Sequence, residues 1–488
     1  TQAEMAQQGG GFDYNDDFPP EARQPRNPGQ FPRPIIDQCE RYRDRVRLRN
    51  GQIQLFANII VPLIVSPSAS GAGVTGRTTR MRSSRGFDDG SDDDDSACSY
   101  SDDDHYSSDG DEDMADVVDS RQPRMANHAY LLIRSLREAI YGQVWSGIVL
   151  RRSTQTITEG GVERTRQIWE QTDQQCAVKE MGLHQIMEER GSAENPYQEV
   201  SAMQYLQRYH HAAVRNNLNV DMGRMDLGGD GDGGANDAEN EIFRNRAQET
   251  MLDTHVMMPL DVLTDNQHLY CIMPYCDGGE LFDVLERRQK FSEEEARYWF
   301  MQVLDGVETL QKAGICHRDM SLENLLTDRT GRALIIDMGM SLKIPYLEDS
   351  QGITSAGDTN NGPPVDHRTR QRCLIKPSHR CGKPYYMSNE VFEGRIFDGH
   401  AVDVWALGPL LFLMVCGFPP WDQASMQDQR FHTFSSGYFV QTAESWNLGL
   451  SADLVDLLQR MFFRDPRTRL SLNQVRNHPW MNGPMAPP

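Results

Sequence analysis

The chain has 488 residues, a formal net charge of -22 and a pI near 5.0. That balance argues against a nucleic-acid partner of the usual basic kind, and the length suits one large domain with tails or several average ones. Nine cysteines fall without a C-x-x-C pair, which suggests neither a zinc site nor a disulfide framework and favours reduced thiols in an intracellular compartment, cytoplasmic or nuclear.

Residues 1–128 read as a mostly disordered, acidic N-terminal region. Stretch 1–34 is rich in Pro, Gln, Gly and Asp and has too few aliphatics to bury a core. The longest apolar stretch, 53–65, is broken by Gln54, Asn58 and Pro62 and is too short and polar to cross a bilayer, so no transmembrane segment is expected. It is expected to be one helix or strand packed on a neighbouring domain, with a membrane-surface or partner-docking segment as the alternative. Between 88 and 119 stand fifteen Asp or Glu and no Lys or Arg. This is a solvated, self-repelling tail, and its six Ser and two Tyr offer phosphorylation sites.

Ordered sequence begins near residue 129. Runs 130–136 and 144–152 are β-prone around a turn at Tyr141 and Gly142, followed by a polar loop at 153–163 and a strand closing on Cys176, Ala177, Val178 and Lys179. A helix follows from Pro196, carrying Glu199 beside the stripe Val200, Met203 and Leu206. Residues 211–250 read as a flexible insertion, lacking the ligand spacing of a calcium loop. Strands resume at 255–263 and 268–273 and lead into Met273, Pro274, Tyr275, Cys276 and, after two glycines, Glu280. Ser292 and Glu295 predict a capping box opening an amphipathic helix, whose buried stripe is Ala296, Phe300, Val303, Leu304, Val307 and Leu310 and whose stop is Gly314.

The chemistry-bearing residues come next. His317, Arg318 and Asp319 are followed five residues later by Asn324, and Asp337, Met338 and Gly339 begin eighteen residues after Asp319. Further on come Cys381-Gly-Lys-Pro384 ending at Glu390, then Asp403-Val-Trp405, Arg469 and His478-Pro-Trp480.

Taken in order, these motifs resemble the eukaryotic Ser/Thr protein kinases, and the Gly417-Phe-Pro-Pro-Trp421 and His-Pro-Trp elements look most like the calcium/calmodulin-dependent group. The resemblance implies an α+β bilobal fold over 129–482. The small lobe, an antiparallel sheet plus one helix, spans about 129–273; a mainly helical lobe spans about 277–482 and carries a long activation segment, 337–390. It implies ATP and Mg²⁺ as cofactors, protein Ser/Thr side chains as substrates, and a signalling role, with oligomeric state open. By the same resemblance Asp319 is the base, Asn324 and Asp337 are metal ligands, and Lys179, aligned by Glu199, anchors the phosphates. Tyr141, Gly142, Val144, Ala177, Met273, Tyr275, Cys276, Glu280 and Leu326 are expected around the nucleotide. Glu280 and Glu323 match positions that receive substrate Arg, so basic substrates are expected. His317, Glu390, Asp403 and Arg469 take structural positions, while Arg318 and Ser378 are the candidates for control by activation-loop phosphorylation.

Several positions depart from the family pattern. Arg137 and Ala139 replace the first two glycines of the nucleotide lid, Met338 replaces Phe, and Asn389 replaces Pro. Ser321 stands where the family has a Lys that neutralises the γ-phosphate, and Lys383 stands where it has the Thr that touches that Lys. The paired departure suggests an exchange of places, with Lys383 reaching the phosphate, against a Lys383 that points to solvent. The alternative to an active enzyme is a pseudokinase, a nucleotide-binding interaction scaffold.

Overall fold

The structure, a computed structural model, describes residues 20–43, 46–47, 53–54, 58–64, 124–159, 162–188, 195–222, 252–347, 366–377 and 379–487. The acidic run 88–119, the greater part of the 211–250 insertion, the middle of the activation segment and Ser378 lie outside the described residues.

The smaller lobe is built on one sheet. Its strands are β1 (Asp37–Tyr42), β2 (Asn58–Ile64), β3 (His128–Ala139), β4 (Gly142–Glu159), β5 (Val162–Gly182), β6 (Asp261–Thr264) and β7 (His268–Pro274). They lie in the order β1-β6-β7-β5-β4-β3-β2, with the two-residue strand Arg124–Met125 beyond β2, and β1 also pairs antiparallel with β2. The central five strands are antiparallel, the arrangement the kinase resemblance implies.

Three sequence expectations are corrected by the structure. Residues 20–43, placed in a mostly disordered region, are ordered and carry β1, whereas the apolar segment 53–65 supplies, over Asn58–Ile64, the packed strand expected of it, and both β1 and β2 belong to the sheet. The reason for β2 is plain: Ile59, Ile60 and Val61 are buried, against Ala129, Leu131 and Leu150 on one face and Cys39, Tyr130 and Leu132 on the other. In place of the polar loop expected over 153–163, residues 153–159 of β4 pair with 162–168 of β5 as a long two-stranded extension, with Ser153 opposite Ile168 and Glu159 opposite Val162. Its alternating Thr, Ile and Val residues favour extended backbone even where solvent surrounds it. The first strand expected over 255–263 also begins later, at Asp261, because His255 adopts φ 57° and turns the chain.

Helix α1 (Pro196–Met222) packs beneath the sheet. Proline at its first position and the Asn195 carboxamide, which accepts from the Tyr197 amide at 3.0 Å, set its start. It runs on through 211–222, which the sequence reading gave to the insertion; no Gly or Pro intervenes before Gly223.

The larger lobe holds α2 (Leu281–Arg288), α3 (Glu293–Lys312), α4 (Gly399–Cys416) and α5 (Ala452–Met461). Every residue of the predicted α3 stripe is buried. Ser292 caps α3 by accepting from the Glu295 amide, but the Glu295 carboxylate turns to Arg288 instead of closing the capping box. Helix α4 is apolar and long enough to cross a membrane by composition, yet it is 89% buried and forms the lobe's core with Trp421, Phe431, Phe434 and Phe462.

Candidate active site

Between the lobes, β5 delivers Lys179, which sits opposite Val144 on β4 and Cys271 on β7. Its ammonium donates to both Glu199 oxygens, at 2.8 and 2.7 Å. Burial works against the charge, but the carboxylates of Glu199 and Asp337 outweigh it and hold Lys179 above the ordinary lysine range. The first turns of α1 therefore face the cleft in the arrangement that places one cation between two carboxylates. Gln198, beside Glu199, donates to the Ser341 carbonyl at 2.5 Å and ties α1 to the segment after Asp337.

The loop carrying Asp319 is pinned from below. Both Asp403 oxygens accept backbone amides, from His317 and Arg318, each at 2.8 Å. His317 is buried, with Nε2 3.0 Å from the Ile336 carbonyl. Arg318 adopts φ 69° and Asp337 φ 66°, so two residues of this centre hold left-handed backbone that side chains ordinarily avoid. The Asn324 amide nitrogen donates to both the Asp319 carbonyl and Oδ2, at 2.8 Å each. That leaves Asn324 Oδ1 as the atom that could act as a ligand. Asp337 Oδ1 accepts from the Gly339 amide at 3.1 Å, with Oδ2 remaining. Two hard oxygen donors of this kind fit Mg²⁺. Met338 is fully buried in the main core, filling the slot of the family's Phe.

Lys383 does not point to solvent. Its ammonium lies 2.8 Å from Ser321 Oγ and 3.4 Å from Asp319 Oδ2, and its amide donates to Asp319 Oδ1 at 3.3 Å. A cation thus stands beside Asp319, delivered from a position 62 residues further along the chain than Ser321. Below it, Arg469 grips Glu390 with two bonds of 2.9 and 3.2 Å, and both side chains are only 1% exposed. Asn389 is satisfied by Glu393 and Arg395, which accounts for an amide where the family has Pro.

The nucleotide side shows one difference from expectation. Tyr141 is buried in the main core rather than at the cleft, and a Cβ on Gly142 would meet the Glu180 carbonyl at 2.2 Å. Arg137, in the place of a glycine, reaches across to the Glu280 carboxylate on the other lobe. This crossing was not anticipated, although a long cation on the lid and an acid at the ribose position were both legible. Met273 and Pro274 on β7 pair with Ala177 and Cys176 on β5, and Leu326 pairs with Glu280. At the hinge, burial pushes the Cys276 thiol up to about 12, which keeps it protonated. Arg318 donates to the His379 carbonyl at 3.3 Å and lies over the Phe397 ring.

A sheet-and-helix lobe over a helical lobe, with the Lys179–Glu199 ion pair and the side chains of Asp319, Asn324 and Asp337 in the cleft, is the arrangement of a protein kinase. The family comparison agrees: the chain matches the protein kinase domain over residues 235–481, just over half its length, and belongs to that family. Curated relatives include CBL-interacting protein kinase 31 of Oryza sativa subsp. japonica, 29% identical over 48% of this chain and 45% of that protein. The SNF1-related protein kinase catalytic subunit alpha KIN12 of Arabidopsis thaliana is 30% identical over 48% of this chain and 40% of its own. The probable serine/threonine-protein kinase MARK-C of Dictyostelium discoideum is 31% identical over 47% and 26%. These place the chain in the Ser/Thr kinase superfamily, among relatives of the calcium/calmodulin-dependent type. The chain spans less than half the length of each, and the family match begins after Lys179 and Glu199.

Proposed function

We propose that the chain is an active Ser/Thr protein kinase using Mg-ATP. The observation that carries this reading is the cleft's charge arrangement: Lys179 closed on Glu199 within the field of Asp337, facing an Asp319 held by Asn324 and Lys383. Lys179 binds the non-transferred phosphates. Asn324 Oδ1 and Asp337 would hold Mg²⁺, which would supply charge neutralisation on the phosphates. The substrate hydroxyl oxygen forms the new bond to the γ-phosphorus, the bond to the bridging oxygen breaks, ADP leaves, and the hydroxyl proton passes to Asp319. Lys383 neutralises the transferred group in place of the family lysine, with Ser321 orienting its ammonium.

Protein substrates with basic residues near the acceptor fit the acidic groups here. Glu323 has one buried carboxylate oxygen without a partner, whereas Glu280 is engaged by Arg137. The eight described cysteines are all free, which supports the cytoplasmic or nuclear setting. Arg318 serves as the regulatory cation. Radiolabelled phosphate transfer from Mg-ATP to an Arg-containing Ser/Thr peptide and to the chain itself tests the reading. Transfer is expected from the wild type and lost in Asp319→Asn; nucleotide binding without transfer, even after treatment with an upstream kinase, would establish the scaffold instead.

A further inference from the structure

The N-terminal segment before β1 touches the activation segment, the chain just past Asp337 and helix α1. Ala22 is fully buried against Cys373 and Leu374, and its carbonyl accepts from the Leu374 amide at 3.3 Å. The Arg26 amide donates to the Leu374 carbonyl and its carbonyl accepts from Lys376, both at 2.9 Å, so this stretch adds a strand-like edge to the activation segment. Three residues on, the Gly29 amide donates to the Lys343 carbonyl at 2.9 Å, just past the Asp337 turn. The Lys343 ammonium in turn sits 4.7 Å from the ring centre of Tyr205 on α1, and the Phe31 ring packs 5.8 Å from the same tyrosine. The backbone of Ile35 is then clasped by a single side chain: its amide donates to Gln204 Oε1 at 2.8 Å and its carbonyl accepts from Gln204 Nε2 at 2.7 Å. Beyond it, β1 pairs parallel with β6.

Gln204 and Tyr205 lie five and six residues after Glu199. At about 100° per residue they stand on the side of α1 turned away from Lys179. The helix is therefore held from both sides, by Lys179 through Glu199 and by the N-terminal segment through Gln204 and Tyr205.

We infer that residues 22–38 are a strap that positions α1, and that Gln204 and Phe31 are positioning residues for the Lys179–Glu199 pair. The strap joins α1 to the activation segment, so displacing it frees the helix that carries Glu199. This rests on the kinase reading for its consequence in phosphate transfer, but the mechanical claim is testable without turnover.

The experiment compares the full chain with Gln204→Leu, Phe31→Ala, Phe31→Tyr and Gln207→Leu. Gln207 serves as a control because it bonds α1 to the Pro259 carbonyl and not to the strap. Hydrogen exchange over 20–43 and 196–213 is measured beside affinity for a fluorescent ATP analogue and, where transfer occurs, KM and kcat. Gln204→Leu and Phe31→Ala are expected to speed exchange in both segments together and to weaken nucleotide binding tenfold or more, chiefly in KM. Phe31→Tyr and Gln207→Leu are expected to leave the strap protected. Unchanged exchange in 196–213 once the strap contacts are lost would overturn the inference, as would a gain in activity, which would make the segment inhibitory. Loss of coupled exchange is decisive even if the wild type transfers no phosphate, so failure of this inference and failure of the kinase reading give different results.

Discussion

Lys383→Thr restores the family's residue at that position and removes the cation beside Asp319. The ammonium sits 3.4 Å from Asp319 Oδ2 and 2.8 Å from Ser321 Oγ, so a γ-phosphoryl group in flight toward a hydroxyl at Asp319 passes within one hydrogen bond of it. Two unit charges about 4 Å apart interact by roughly 4 kcal/mol at an effective dielectric near 20. The Lys383 side chain is a third exposed, so water screens part of this. A net loss of about 2.7 kcal/mol, or roughly a hundredfold in kcat, is the expected outcome. Steady-state phosphate transfer at saturating Mg-ATP measures it, with KM for ATP expected to change far less than kcat, because charge on the transferred group is greatest in flight. The double variant Ser321→Lys with Lys383→Thr puts the cation back in the family's position and is expected to recover most of the loss, making the two changes strongly non-additive. A single variant within threefold of wild type, or a double variant worse than the single, would refute the exchange.

Three other outcomes follow from the same geometry. Arg137→Gly breaks the ion pair that crosses the cleft to Glu280; the arginine is mostly exposed, so the change is worth under about 1 kcal/mol and should speed ADP release two- to fivefold at low salt, with the difference vanishing at high salt in a stopped-flow measurement. Arg469→Ala strands the fully buried Glu390 carboxylate and should cost about 3–5 kcal/mol in urea unfolding; a cost below 1 would contradict the buried pair. His400 is held neutral by burial, with its pKa pushed down to about 3 and Nε2 unpartnered. Because the folded value lies below the unfolded one, the unfolded chain binds the extra proton, and the contribution present above about pH 6.5 is lost as pH falls toward 3. Relative to His400→Phe, the wild type should lose up to about 2.7 kcal/mol between pH 7 and 4.5, and parallel stability curves for the two would sink this reading.

What the sequence displayed and what it hid divide along physical lines. The α3 stripe, the Asn five residues past Asp319 and the Glu199 beside its apolar neighbours are set by local spacing, and local spacing survives in a string of letters. The strap does not, because Arg26, Gly29 and Ile35 bind through backbone groups that every residue carries, and its anchors are a few apolar residues in a Pro- and Gln-rich run. The 153–163 extension was hidden for the opposite reason. Its charged residues signal exposure, which holds, but an exposed stretch can still be regular backbone when it pairs with a partner strand. Lys383 and Ser321 sit between these cases. Each is unremarkable alone, and only their joint departure, 62 residues apart, says that two side chains meet. A site assembled from distant parts of the chain can therefore be read from sequence where a change on one side demands a change on the other. A brace such as the strap asks for nothing complementary in its partner beyond an amide and a ring, so it becomes visible only once the backbone has been placed.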